Sequence, residues 1–191
     1  VGYMRLGHAL MLHSQHPFNA NGFDQAIQYF KESIQNIDVT RIHVEPLWGM
    51  CRALGYSGDI EEAEQLAAES LAIAKKAGDE WISVLIQLSL GAGAVIAGEF
   101  EVAQQALTSA EVTSLKVKDP FTLCVARMWL ALKAWRQGYE NTAFGYLEKM
   151  LPIVREKGYG FLLNRESLLG LKDCESIVPL LQAAVNNNIE R

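Results

Sequence analysis

Three histidines, His8, His13 and His16, stand within one nine-residue stretch near the start of the chain. Clustered imidazoles bind zinc when their spacing brings them to one point. His8 and His13 are five apart, so one helix cannot present both on the same face, and no H-E-x-x-H accompanies them. They read as a helix end running into the loop HSQHPFNANG, and no metal is expected. The three cysteines, Cys51, Cys124 and Cys174, are far apart and form no C-x-x-C. That pattern argues against a disulfide framework or a zinc knuckle and agrees with a reducing cytosol. Cys174 opens the expected last helix, where a thiol pKa falls, but no partner base is in view. The glycine-rich stretch GAGAVIAG, residues 91–98, has Ile96 where a dinucleotide fingerprint needs its third glycine. The acidic runs DIEEAEQ and GDE suit helix starts, where carboxylates favour the positive end of the dipole, rather than paired acid and base. No nucleophile elbow, phosphate loop or EF-hand pattern occurs. The expectation is a chain without catalytic residues, metal or cofactor.

Bulk properties agree. The chain has 191 residues, 50% of them hydrophobic, and a net charge of −5. That suffices for one domain with a real core and excludes disorder by composition. Basic residues are dispersed, with no cluster denser than Lys75-Lys76, so direct nucleic-acid binding is not expected. No unbroken run of eighteen apolar residues occurs, so no membrane partner is expected and the location is read as cytoplasmic. The chain opens on Val1 without an initiator methionine and is read as a piece of a longer protein.

The strongest signal is a repeat. Gly58, Gly98 and Gly138 are spaced by 40, and an alanine follows each after five residues: Ala63, Ala103 and Ala143. Behind each alanine runs one helix face: Ala67 and Ser70, Leu107 and Ala110, Leu147 and Met150. Before each glycine runs a second face: Met50, Cys51, Leu54; Leu90, Gly91, Ala94; Leu130, Ala131, Ala134. The small middle residue lets another helix approach. An earlier copy, with a longer loop, uses Tyr3, Leu6, Gly7 and Leu10, then Ala26, Phe30 and Ser33. Asp79 and Asp119 suit helix N-caps, and Pro120 the first helical turn. Pro46 and Pro152 fall inside expected helices and predict late starts or kinks. One helix pair cannot bury its own apolar face, but stacked pairs can. The predicted fold is all-α: a right-handed superhelical solenoid of about four helix-turn-helix units over residues 1–158. Residues 159–191 add a C-terminal loop and capping helix to the same domain. Asp173 or Ser176 would cap that helix, with Ile177, Leu180, Leu181, Ala184 and Val185 as its apolar face.

The small residue, the alanine, the turn glycine and the helix pair resemble tetratricopeptide (TPR) repeats. The resemblance covers residues 2–158, with a period of 40 instead of 34 and a partly kept Trp-Leu-Gly-x2-Tyr opening. Longer TPR-like units of this kind resemble the sensor regions of bacterial ATP-dependent transcriptional regulators of the MalT/LuxR type, and of related activators with a bacterial transcriptional activation domain. The closing FLLNRESLLGLKDCESIVPLLQAAV looks like the tail of such regions. The resemblance implies a transcription-regulating, signal-transducing parent whose ATPase and DNA-binding domains lie outside this chain.

In TPR-like stacks the first helix of each unit lines the concave face. Carried over, that gives Met4, His8, Met11 and Leu12 in unit one, and Glu45, Trp48, Arg52 and Tyr56 in unit two. Leu85, Leu88, Ala92, Val95 and Ile96 follow in unit three, and Val125, Met128, Leu132, Trp135 and Arg136 in unit four. Leu85, Leu88 and Val125 read as packing between first helices. The candidate binding set is Trp48, Arg52, Tyr56, Met128, Leu132, Trp135 and Arg136, since aromatics, methionine and arginine are over-used at binding surfaces. Trp81 and Trp129 read as core. The expected function is a non-enzymatic sensor domain taking a peptide, a partner domain or a small inducer in that groove. The alternative is an assembly scaffold that forms oligomers through its end or convex faces. A third arrangement leaves the groove filled by part of the apolar C-terminal segment.

Overall fold

The structure, a computed structural model, describes residues 2–13, 22–36, 44–164, 167, 169–171 and 174–189. Among these, all regular structure is helical: α1 Gly2–His13, α2 Gly22–Gln35, α3 Val44–Ser57, α4 Ile60–Ala77, α5 Glu80–Ala97, α6 Phe100–Val117, α7 Pro120–Arg136, α8 Glu140–Lys157, α9 Phe161–Asn164 and α10 Val178–Asn186. A 3-10 turn, Cys174–Ile177, leads into α10.

The helix ends follow from local chemistry. The Asp79 carboxylate accepts from the Ile82 amide at 3.0 Å, and Asp119 accepts from the amides of Phe121 and Thr122 at 2.9 and 3.4 Å. Each satisfies amides that the first turn leaves without a helical acceptor. The turns at Gly58, Gly98 and Gly138 have φ of 104°, 88° and 79°, a region that side chains with a Cβ avoid. Pro46 sits in the first turn of α3, where its missing N–H costs nothing. Pro152 lies inside α8, which continues to Lys157. Ser176 lies within the 3-10 turn that leads into α10, and Ile177 precedes the helix without a side-chain cap of its own. Asp173 falls outside the described residues.

From α1 to α8 each helix packs on its sequence neighbour, and α3 also packs on α5, α5 on α7 and α1 on α3. The first helices of the pairs thus form an inner row, flanked by α2, α4, α6 and α8. Every recurring residue on the faces around Ala63, Ala103 and Ala143 is buried, as are those around Cys51, Gly91 and Ala131. A Cβ on Gly91 would stand 2.5 Å from Leu107 Cγ, and one on Gly93 2.5 Å from the Gly55 Cα. GAGAVIAG is therefore a packing device: it brings the α5 backbone against α3 and admits Leu107 from α6. Gly7 and Gly49 do the same for the Phe30 ring. By length and composition α5 is the one described helix apolar enough to cross a membrane, with a mean hydropathy of 1.6, yet most of it is buried among its neighbours.

Trp81 departs from expectation. It is 55% exposed near the start of α5, not core. Its counterpart one unit on, Phe121, is covered by Tyr159 and Phe161, with ring centroids 5.5 and 6.2 Å away. Of the expected α10 face, Ile177, Leu180 and Ala184 are buried, Leu181 is partly buried and Val185 is exposed.

Candidate functional site

The inner row of helices holds all seven predicted binding residues, on α3 and α7, and their side chains are already engaged. Trp48, on the second turn of α3, donates its indole N–H to Ser89 Oγ on α5 at 2.8 Å. One turn on, Arg52 is 0% exposed. Its Nη2 donates to the Ser167 carbonyl at 3.3 Å, its Nη1 reaches Met11 Sδ at 3.7 Å, and its guanidinium carbon lies 4.5 Å from the Tyr56 ring centroid. Tyr56, one turn further, donates its hydroxyl to the Gly170 carbonyl at 2.7 Å. Trp129 on α7, read from sequence as core, is buried and donates to the Leu169 carbonyl at 3.1 Å.

Three side chains from two helices thus hold three carbonyls of one short segment, residues 167–171. Leu169 and Leu171 of that segment are buried. Helical spacing on α3 aligns Arg52 and Tyr56 on one face, and the α3–α5–α7 row brings Trp129 into the same set.

Met128 and Leu132 are fully buried in the core around α7. Trp135 is half-buried with its ring 6.5 Å from that of Phe144. Arg136 Nη1 donates to the Val95 carbonyl at 2.7 Å, satisfying an acceptor in the last turn of α5. The predicted set therefore divides. Arg52 and Tyr56 meet on the C-terminal segment. Trp48, Met128, Leu132, Trp135 and Arg136 tie the inner helices to one another or to α8. The partners missed from sequence are Trp129 and Ser89; the C-terminal segment was left open between filling the groove and capping the stack. The only signal for the segment was its apolar run, which is equally suited to capping the stack.

The electrostatics are unusual. Arg52 is a buried cation, and burial lowers its pKa from the ordinary arginine value. Burial raises the Tyr56 pKa, a rise opposed by the Arg52 charge. His8, on α1, packs against Phe30 and Trp48 with centroids 4.9 Å from each. Burial first and the Arg52 charge second lower its pKa to about 4, so it is neutral at pH 7. Cys51 and Cys124 are buried thiols whose pKa values burial raises to about 12 and about 11, the opposite of an activated nucleophile. Among the described residues no group of three metal-ligating side chains converges; the His13 side chain and His16 lie outside them. Comparison with known proteins adds no relative: no protein-family model and no curated protein matches the chain.

Proposed function

We propose that the chain is a non-enzymatic interaction and sensor domain built as a right-handed superhelical repeat, whose concave inner face takes a peptide, a partner domain or a small inducer. The starts of α4, α6 and α8 at Ile60, Phe100 and Glu140 support a stride of forty residues. The observation that carries the reading is the hold of Arg52, Trp129 and Tyr56 on the carbonyls of Ser167, Leu169 and Gly170. Side-chain donors aimed at backbone carbonyls are a way to grip an extended chain without depending on its side chains. The face receives such a segment in cis, and a ligand acts by competing for the same donors. Binding then shifts the balance between two arrangements of the parent protein. The resemblance to MalT/LuxR-type regulators points to a cytoplasmic bacterial transcriptional regulator as that parent, with this chain making no direct contact with nucleic acid or membrane.

Isothermal titration of the full chain carrying Leu169→Ser with the peptide Ser-Leu-Leu-Gly-Leu, the sequence of residues 167–171, tests the reading. Weakening the resident segment should tighten peptide binding about tenfold relative to wild type, because the cis segment competes at an effective concentration in about the millimolar range. Absence of binding to either chain rejects the groove.

A second reading, an assembly scaffold, is favoured by one observation. Trp81 and Leu115 are both more than half exposed, and the ion pair between Glu80 and Lys116 brings their neighbours together at one edge. Concentration-dependent dimers in light scattering, lost in Trp81→Ser, would support it.

A further inference from the structure

Among the described residues, four buried polar atoms without a hydrogen-bond partner gather at one end of the inner face: both ring nitrogens of His8, Nε of Arg52 and Oγ of Ser167. The groups are linked. Arg52 reaches Ser167 through its carbonyl, and it reaches Met11, one turn along α1 from His8. The His8 ring in turn packs on Trp48, one turn before Arg52 on α3. Among the described residues no carboxylate pairs with Arg52. A guanidinium out of water carries a heavy desolvation cost. One carbonyl, a thioether and the ring face and phenol of Tyr56 offset only part of it. Its planar fork of donors matches a carboxylate, which accepts two parallel bonds.

We propose that Arg52 and His8 form a binding site for a single carboxylate, with the Ser167 carbonyl as its neutral stand-in in the present arrangement. The proposal rests on the reading of the inner face as a ligand groove and names the chemistry of what enters it. Charge selects the class. With His8 neutral, Arg52 brings one positive charge, which a carboxylate balances; a phosphate dianion would bury a negative charge in excess. In the bound state Arg52 donates Nε–H and one Nη–H to the two carboxylate oxygens, and His8 donates its ring N–H. Two of the unpartnered groups of the site, the Arg52 Nε–H and the His8 ring, are thereby used. The carboxylate comes either from an aspartate or glutamate of a peptide or from a free organic acid.

The test titrates the full wild-type chain, labelled at histidine for NMR, with two pentapeptides, Asp-Leu-Leu-Gly-Leu and Asn-Leu-Leu-Gly-Leu, and separately with acetate against chloride at equal ionic strength. The expected result is that the Asp peptide binds about tenfold more tightly than the Asn peptide and moves the His8 ring signals, and that Arg52→Met removes the preference. If the peptides do not bind but acetate alone moves His8, the source is a free acid; the carboxylate site stands and the peptide groove does not. Equal binding of both peptides, with no effect of acetate on His8, overturns the carboxylate site and leaves the groove. No response to any of the probes overturns both. The wild-type comparison decides between these outcomes even if Arg52→Met fails to fold.

Discussion

Arg52 and Tyr56, one helical turn apart on α3, act on the C-terminal segment as a pair. The guanidinium lies 4.5 Å from the ring centroid, and the two side chains donate to the carbonyls of Ser167 and Gly170, more than a hundred residues away in sequence. The stacking holds the two donors against each other, which limits the side-chain freedom that their grip on the segment costs.

Tyr56→Phe keeps the ring under the guanidinium and removes one grip. It should cost about 1 kcal/mol of stability in urea denaturation. Cleavage by a protease within residues 165–173 should rise more than cleavage elsewhere. A uniform rise along the chain would mean that the segment is no looser than the rest of the fold.

Arg52→Met should leave stability within about 1 kcal/mol of wild type, because an apolar side chain of similar length avoids the cost of burying a charge that has no carboxylate partner among the described residues. A loss of about 3–5 kcal/mol in the same denaturation experiment would make Arg52 a structural residue instead.

His8 gives a pH signature. Its folded pKa is about 4, below the ordinary 6.5 or so of an unfolded chain. Between these values the unfolded state binds the proton and the folded state does not. Stability is therefore complete above pH 6.5 or so, falls by about 2–3 kcal/mol as the pH drops towards 4, and levels below it. His8→Phe should remove that slope; a slope unchanged in the variant would assign it to other groups.

Gly93→Ala forces a Cβ to 2.5 Å from the Gly55 backbone, whereas Gly145→Ala on α8 meets nothing within 4 Å. The first should destabilise by about 1–3 kcal/mol, and the second should stabilise by roughly 0.5–1 kcal/mol through helix propensity. Thermal melts of both variants check the sign of each.

Much of this fold could be read from residue types. The turn glycines, the Asp79 and Asp119 caps and the buried faces around Ala63, Ala103 and Ala143 are local devices whose physics is complete within a few residues. Arg52 and Tyr56 could be singled out as candidates because a guanidinium and a phenol at helical spacing are costly to hide. Their occupant was not legible: nothing local to Leu169 or Gly170 distinguishes a segment gripped by its carbonyls from one that caps an end. Trp48 and Arg136 bond to α5, contacts not legible in the sequence because whether an inner helix meets its neighbour depends on how tightly the row curves. Trp81 failed for a related reason. Its counterpart Phe121 is covered by Tyr159 and Phe161 from the C-terminal part, whereas Trp81 has no such ring contact among the described residues and is 55% exposed.

The indole N–H signals of the four tryptophans report the central claim directly. Trp129 donates to Leu169 of the resident segment, Trp48 donates to Ser89 within the helical row, and Trp81 is exposed. In 15N-tryptophan NMR of the wild-type chain, a saturating excess of Ser-Leu-Leu-Gly-Leu should shift the Trp129 signal saturably and leave Trp48 and Trp81 in place. A Trp129 signal that stays fixed at millimolar peptide would contradict the groove and make residues 167–171 a permanent part of the core.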